Sequence, residues 1–270
     1  MVVDAGALAA VTVTGGLAAR GVRLARRRDL RLAPAQSTFC VAGVAALAGA
    51  LLSPLDHLAS ESVAAHMAQH LLLADIAVPL LLLGFRAPVG ALAVPKPLVA
   101  AFGRARRLRR ALAILARPIV AVPLYAVVLL GWHVGPAFEA ALRHPLVHAL
   151  QHQAFVVASA LVWWPLIEPH RRRARGELWK LAYLFAARFF GMALAMAIAA
   201  ARTPLYADAY GAGDRAFGLD ALADQRLGAA LMFTTDVVVL AVGMTALFFL
   251  AARAGDRPGE ATGPRSRRTV

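Results

Sequence analysis

Long apolar runs recur along the chain at about 3–22, 36–55, 64–85, 117–136, 146–167, 179–201 and 228–251. Each approaches the roughly 20 residues that a helix needs to cross a bilayer. The runs are continuously apolar rather than alternating, so membrane-spanning strands do not explain them. The pattern predicts an all-α, polytopic membrane helix bundle of about seven spans over residues 1–252. Residues 253–270, rich in Gly, Pro and Arg, read as a disordered basic cytoplasmic tail. No internal repeat and no soluble domain stands out. Within the first run, the uncharged stretch 5–19 could mimic a secretory signal, but Asp4 precedes it and Arg20, Arg23 and Arg26 to Arg28 follow it. A signal peptide has the opposite order of charge, so a retained first span is expected.

Composition supports this reading. The 270 residues are 60% hydrophobic and 16% charged, against roughly 25% charged in a soluble domain. The net charge of +14 does not point to nucleic acid, because the arginines sit in short runs between apolar segments, without aromatic interleaving. Of 29 Lys and Arg, 24 lie after the first, third, fifth and seventh runs. Basic loops stay cytoplasmic. The expected topology is therefore an outer N-terminus and a cytoplasmic C-terminus. The basic stretch 97–112 reads as an interfacial helix on anionic headgroups, with Leu108, Leu112 and Ile114 toward lipid. Cys40 is the lone cysteine, so soft-metal chemistry falls to His and Met.

That topology gathers seven of the eight histidines toward the outer face, leaving His170 in the cytoplasm. His66 and His70 are i and i+4, and His144, His148 and His152 repeat that step twice. Residues four apart share a helix face. Paired imidazoles on facing helices are a common way to build a metal site in a bundle. His133, near the outer end of the fourth run, joins them, and His57 lies in a neighbouring loop. Imidazole suits copper, zinc, iron and nickel, while Met67 or Met232 offers Cu(I) a soft thioether. A site within one chain and a site shared across a homodimer both fit the spacing.

Three charges fall inside the apolar runs: Asp75, Arg188 and Asp236. An ionised side chain at that depth costs roughly 2.5–3.5 kcal/mol, so such residues pair or face a polar cavity. Arg188 with Asp75 or Asp236 makes a structural lock or a support beneath a metal site. Nucleotide-binding glycine loops, a serine elbow and His-Glu-x-x-His are all absent. A non-enzymatic protein is expected.

Several segments carry a resemblance to a known family. They are His66-Met67-Ala68-Gln69-His70-Leu71-Leu72-Leu73 with Pro79, Leu83-Gly84-Phe85-Arg86-Ala87-Pro88, Trp132-His133, and His148 and His152 with Trp163-Trp164-Pro165. Thr203-Pro204-Leu205-Tyr206 and Asp224-Gln225 with Gly228 continue it through an outer loop and the entry to the last span. Over roughly residues 40–250 the chain resembles the multi-span CtaG family of bacterial cytochrome c oxidase assembly factors. The resemblance implies an assembly role toward a haem–copper oxidase subunit, with copper delivered from the outer side of a bacterial inner (plasma) membrane. It maps the family's histidines onto His66, His70, His133, His148 and His152. The chain departs from the family at Met232-Phe233, where Trp often follows the Met, and His144 is not clearly a family position. Two alternatives stay open: a haem-binding membrane cytochrome, with His70 and His152 as axial ligands, and a metal transporter.

Overall fold

A computed structural model describes residues 5–167, 179–210 and 218–255, and these are helical, with no strand among them. Five helices are long and apolar enough to cross a membrane: α1 (Ala5–Arg27), the composite Val63–Gly84, α11 (Pro145–Ile167), α12 (Trp179–Ala200) and α14, apolar over Ala221–Phe249. Two of the apolar runs make shorter helices. α2 (Gln36–Leu51) has 16 residues and α9 (Pro118–Trp132) has 15, about 24 and 22 Å at 1.5 Å per residue. Proline sets both limits. Ser53 caps a separate short helix, α3 (Pro54–Ala59), with Pro54 in its first turn. After α9, extended Val134 leads into α10 (Gly135–Arg143), which carries Pro136 in its first turn. The predicted runs 36–55 and 117–136 therefore end early.

Toward the other end of the bundle, α6 (Val89–Ala93) packs against α1. The basic stretch then forms two helices rather than one, α7 (Lys96–Arg104) and α8 (Arg106–Leu115). Leu108, Leu112 and Ile114 are exposed, and α8 meets α9 at 79°. That angle suits a helix lying flat beside a span. After the one-turn α13 (Ala207–Tyr210), α14 (Ala221–Gly255) begins seven residues before the predicted run and continues to 255, into the predicted tail. Asp220 explains the early start: its Oδ1 accepts from the N–H groups of Leu222 and Ala223, a helix cap. Asp224 and Gln225 are thus helical rather than looped. His170, the run Arg171 to Arg173 and residues 256–270 lie outside the described residues.

The third run is a composite. α4 (Val63–Leu71) passes through a π-helical segment, Leu72–Ala77, into α5 (Val78–Gly84). Pro79 supplies a cause. It has no N–H, and its ring crowds the carbonyl four residues back, that of Asp75. A π segment relieves the clash, because its hydrogen bonds run i→i+5. Ser159 of α11 donates its hydroxyl to the carbonyl of Ala74, one of the bulged residues. In an unbroken α-helix Asp75 would sit about 140° around from His70, at 100° per residue. The extra residue per turn narrows that gap and brings Asp75 under the histidine face.

Asp75 there meets Arg188, which is fully buried. Its Nη1 donates to Asp75 Oδ1 and, at 3.0 Å, to Asp236 Oδ1. Three spans are joined at one depth. The guanidinium carbon also lies 5.2 Å from the centre of the Tyr125 ring, a cation–π contact from α9. Gly191 makes room for the arrangement: a Cβ there would collide with the Asp236 carboxylate. The sequence left the partner of Arg188 open between two carboxylates, and the structure pairs it with both.

Removing the cation would leave two buried carboxylates face to face. Arg188→Leu is expected to destabilise the fold by about 3–5 kcal/mol, read as a lowered unfolding midpoint in detergent micelles. An unchanged midpoint would refute the lock.

Candidate metal centre

α4 carries His66 and His70 on one face, and α11 faces it with His148 and His152. The four rings form a column. Ring centres are 4.4 Å apart for His66–His70, 4.2 Å for His148–His152, and 5.2 Å across the helices for His66–His148 and for His70–His152. Phe138 of α10 packs on His66 at 4.8 Å, and Phe155 packs on His70 at 4.7 Å. These aromatic walls exclude water from a polar cluster. Sequence spacing gave no hint of them, because both are ordinary apolar positions on their helices.

His66, His70 and His152 are buried and His148 is half-buried. Both ring nitrogens of His66 and of His70, and Nε2 of His148 and of His152, are buried without a hydrogen-bond partner. An unsatisfied buried polar atom costs about 1–3 kcal/mol, and this column holds six of them. One nitrogen each from His66, His70 and His148 lies within 4.8 Å of the other two. A cation among them would satisfy lone pairs that the protein leaves bare. Neutral imidazole is a ligand for first-row transition metals, so the donor set fits such an ion.

His133 borders this column without joining the stack. It follows the last residue of α9. Its Nδ1 lies 2.7 Å from the carbonyl of Leu129 and its Nε2 lies 3.4 Å from Met67 Sδ. A cavity of about 30 Å³ lies beside it, with Met67, His70, His133, Met232, Asp75 and Asp236 in its lining. That is room for one or two water-sized groups. His144 is not brought to the centre: it is exposed at the turn between α10 and α11. The turn aims it away although its i+4 spacing matches that of the others. His57 is exposed too, with Nδ1 3.5 Å from Glu61.

The helix bearing His66 and His70 is fixed from outside itself. Asp224 of α14 accepts from the Ser62 hydroxyl at 2.6 Å and from the backbone N–H groups of Val63 and Ala64 at 2.7 and 3.1 Å. Ser62 Oγ accepts in turn from Ala65 N–H. A carboxylate on the first turn of a helix satisfies orphan donors and complements the helix dipole. Gln225 accepts from Leu205 N–H and donates to the carbonyl of Ile198, binding the preceding loop to α12. From that loop Tyr206 stacks on Phe138 and donates to the carbonyl of His133. Burial pushes its phenol up to about 12, so it remains a donor at ordinary pH. Gln69 donates to the carbonyl of Ala50 and to Asp56, tying the same helix to α2 and α3.

Residues 17–254 match the model of the family described as cytochrome c oxidase caa3 assembly factor (Caa3_CtaG). No curated protein and no solved structure matches the chain.

Asp224→Ala strips three buried donors of their acceptor and should loosen the entry to α4. The expected outcome is a loss of about 1–3 kcal/mol with faster hydrogen exchange at the amides of Val63 and Ala64. Exchange at wild-type rates would show that the cap does not hold the helix.

Proposed function

The chain belongs to the cytochrome c oxidase caa3 assembly factors, and from that premise we propose that it binds copper at His66, His70, His148 and His152 and delivers it to a haem–copper oxidase subunit. In this reading the copper is cargo rather than a resident cofactor, and the role is non-catalytic. One observation carries the proposal: six buried imidazole nitrogens lack partners, and nitrogens from three of the rings converge. Positively charged loops favour the cytoplasmic side. The ends of the bundle bearing the histidines would then face outward from a bacterial plasma membrane, where the oxidase subunit would receive the ion. The basic helices α7 and α8 would rest on anionic headgroups of the opposite leaflet. In this topology α2 and α9 complete the set of seven spans. The four rings belong to one chain, so the proposed site needs no second copy.

The haem alternative fits the geometry poorly. A macrocycle between His70 and His152 needs a slot between their helices, and the rings of His66 and His148 stack one turn away at 5.2 Å. A transporter with a midplane site needs polar groups along a path. Beneath the column lies an ion pair that is already neutralised in large part.

Purified protein should retain copper, and His66→Ala/His70→Ala should lose most of it. No copper on the wild type, or full retention by the double variant, would overturn the proposal. A caa3 oxidase expressed alongside the variant should be deficient in copper.

Imidazole binds metal only when deprotonated at the ligating nitrogen. Copper retention should therefore fall as pH is lowered and recover on return to neutral pH, measured by dialysis against a competing chelator. Retention that rises on acidification would exclude imidazole ligation.

A further inference from the structure

The four-histidine column leaves the contact between His133 and Met67 unexplained. His133 Nδ1 faces the carbonyl of Leu129 at 2.7 Å. A carbonyl only accepts, so Nδ1 carries the proton and donates. In a neutral ring Nε2 is then a bare lone pair. Its partner is the thioether sulfur of Met67 at 3.4 Å, and a thioether has no hydrogen to give. Two acceptors thus face each other with no proton between them. Doubly protonating His133 would supply one, but would bury an imidazolium whose Nε2 has only a thioether for a partner, which is costly.

A soft cation resolves the pair. Taking as a guide the lengths zinc makes to histidine nitrogen and cysteine sulfur, about 2.0 and 2.3 Å, a nitrogen–sulfur separation of 3.4 Å corresponds to an angle of about 104° at the metal, close to tetrahedral. Met232 lines the same small cavity and offers a second thioether, and His70 opens onto it from the histidine column. Thioethers select Cu(I) over harder divalent ions. Charge points to a monovalent ion as well. Asp75 and Asp236 border the cavity and share the single cation of Arg188. With both carboxylates ionised, one formal negative charge remains, which one monovalent cation would cancel.

We propose that Met67, His133 and Met232 form a second, sulfur-containing station for monovalent copper, next to the four-histidine site and joined to it through His70. This deepens the copper reading above and rests on it for the identity of the ion. The two stations differ in ligand chemistry: nitrogen alone in the first, nitrogen with sulfur in the second. No electron transfer is required if copper arrives as Cu(I).

X-ray absorption on full-length protein in detergent, loaded anaerobically with Cu(I), tests the proposal. Wild type should show a sulfur shell near 2.3 Å beside the nitrogen shell. Met67→Leu/Met232→Leu should lose the sulfur shell and about one equivalent of Cu(I) while keeping nitrogen-bound copper. Leucine is close to methionine in volume, and monodispersity on size exclusion checks the fold. If that double variant aggregates, Met67→Leu alone should lower the sulfur amplitude by about half. A wild-type spectrum without sulfur, or a sulfur shell unchanged in the methionine variants, would overturn the second station. His66→Ala/His148→Ala should behave in the opposite way, losing nitrogen-only copper and keeping the sulfur shell. If it loses no copper while the sulfur shell persists, the four-histidine site fails and the second station stands.

Discussion

A guanidinium in hydrocarbon has to be neutralised where it stands, and Arg188 is neutralised by carboxylates from two other spans. Breaking either pair would strand a charge in a medium with no water to receive it. The depth of Asp75 along its span is therefore tied to that of α12 and α14. His70 stands one turn from Asp75 on the same chain segment, and His66 one turn beyond. The height of the histidine column above the ion pair follows from the backbone between them. The π segment sets their relative rotation, and Pro79 gives that segment its reason to exist.

The column is fixed at its other end by a different kind of contact. Asp224 reaches from α14 to the first turn of α4, so one helix supplies both the carboxylate below the site, Asp236, and the one above it. Gly228, between them, lets α14 approach α4 closely: an added Cβ would meet Ala64 Cα and Met67 Cγ at 3.3 Å. The cluster of bare imidazoles is held by surrounding bonds in which its own nitrogens take no part. Such an arrangement keeps ligands in place while leaving their lone pairs free.

Much of this is legible in the amino-acid sequence alone. The i and i+4 spacing of His66 and His70, and of His148 and His152, fixed which rings share a face, and apolar length placed those faces on helices. His144 has the same spacing yet falls outside the column, because Pro145 begins a new helix and His144 sits in extended backbone before it. Periodicity counts residues and does not register a break between them. Asp224 and Gln225 were visible as a motif without a role, since a cap between residues 162 apart leaves no local trace. The π segment had only Pro79 as its signal, and an apolar run with a proline in it is equally consistent with a simple kink.

Gly191 has a consequence for how such a chain can vary. Its missing side chain is the space that the Asp236 carboxylate fills. A larger residue at 191 is tolerable only if position 236 shrinks or loses its charge, and Arg188 would then be left with Asp75 alone. Drift at one of these positions therefore selects compensating change at the others. The three should appear as a covarying set across related sequences, although 191 and 236 stand on different helices and one of them is a residue with no functional group.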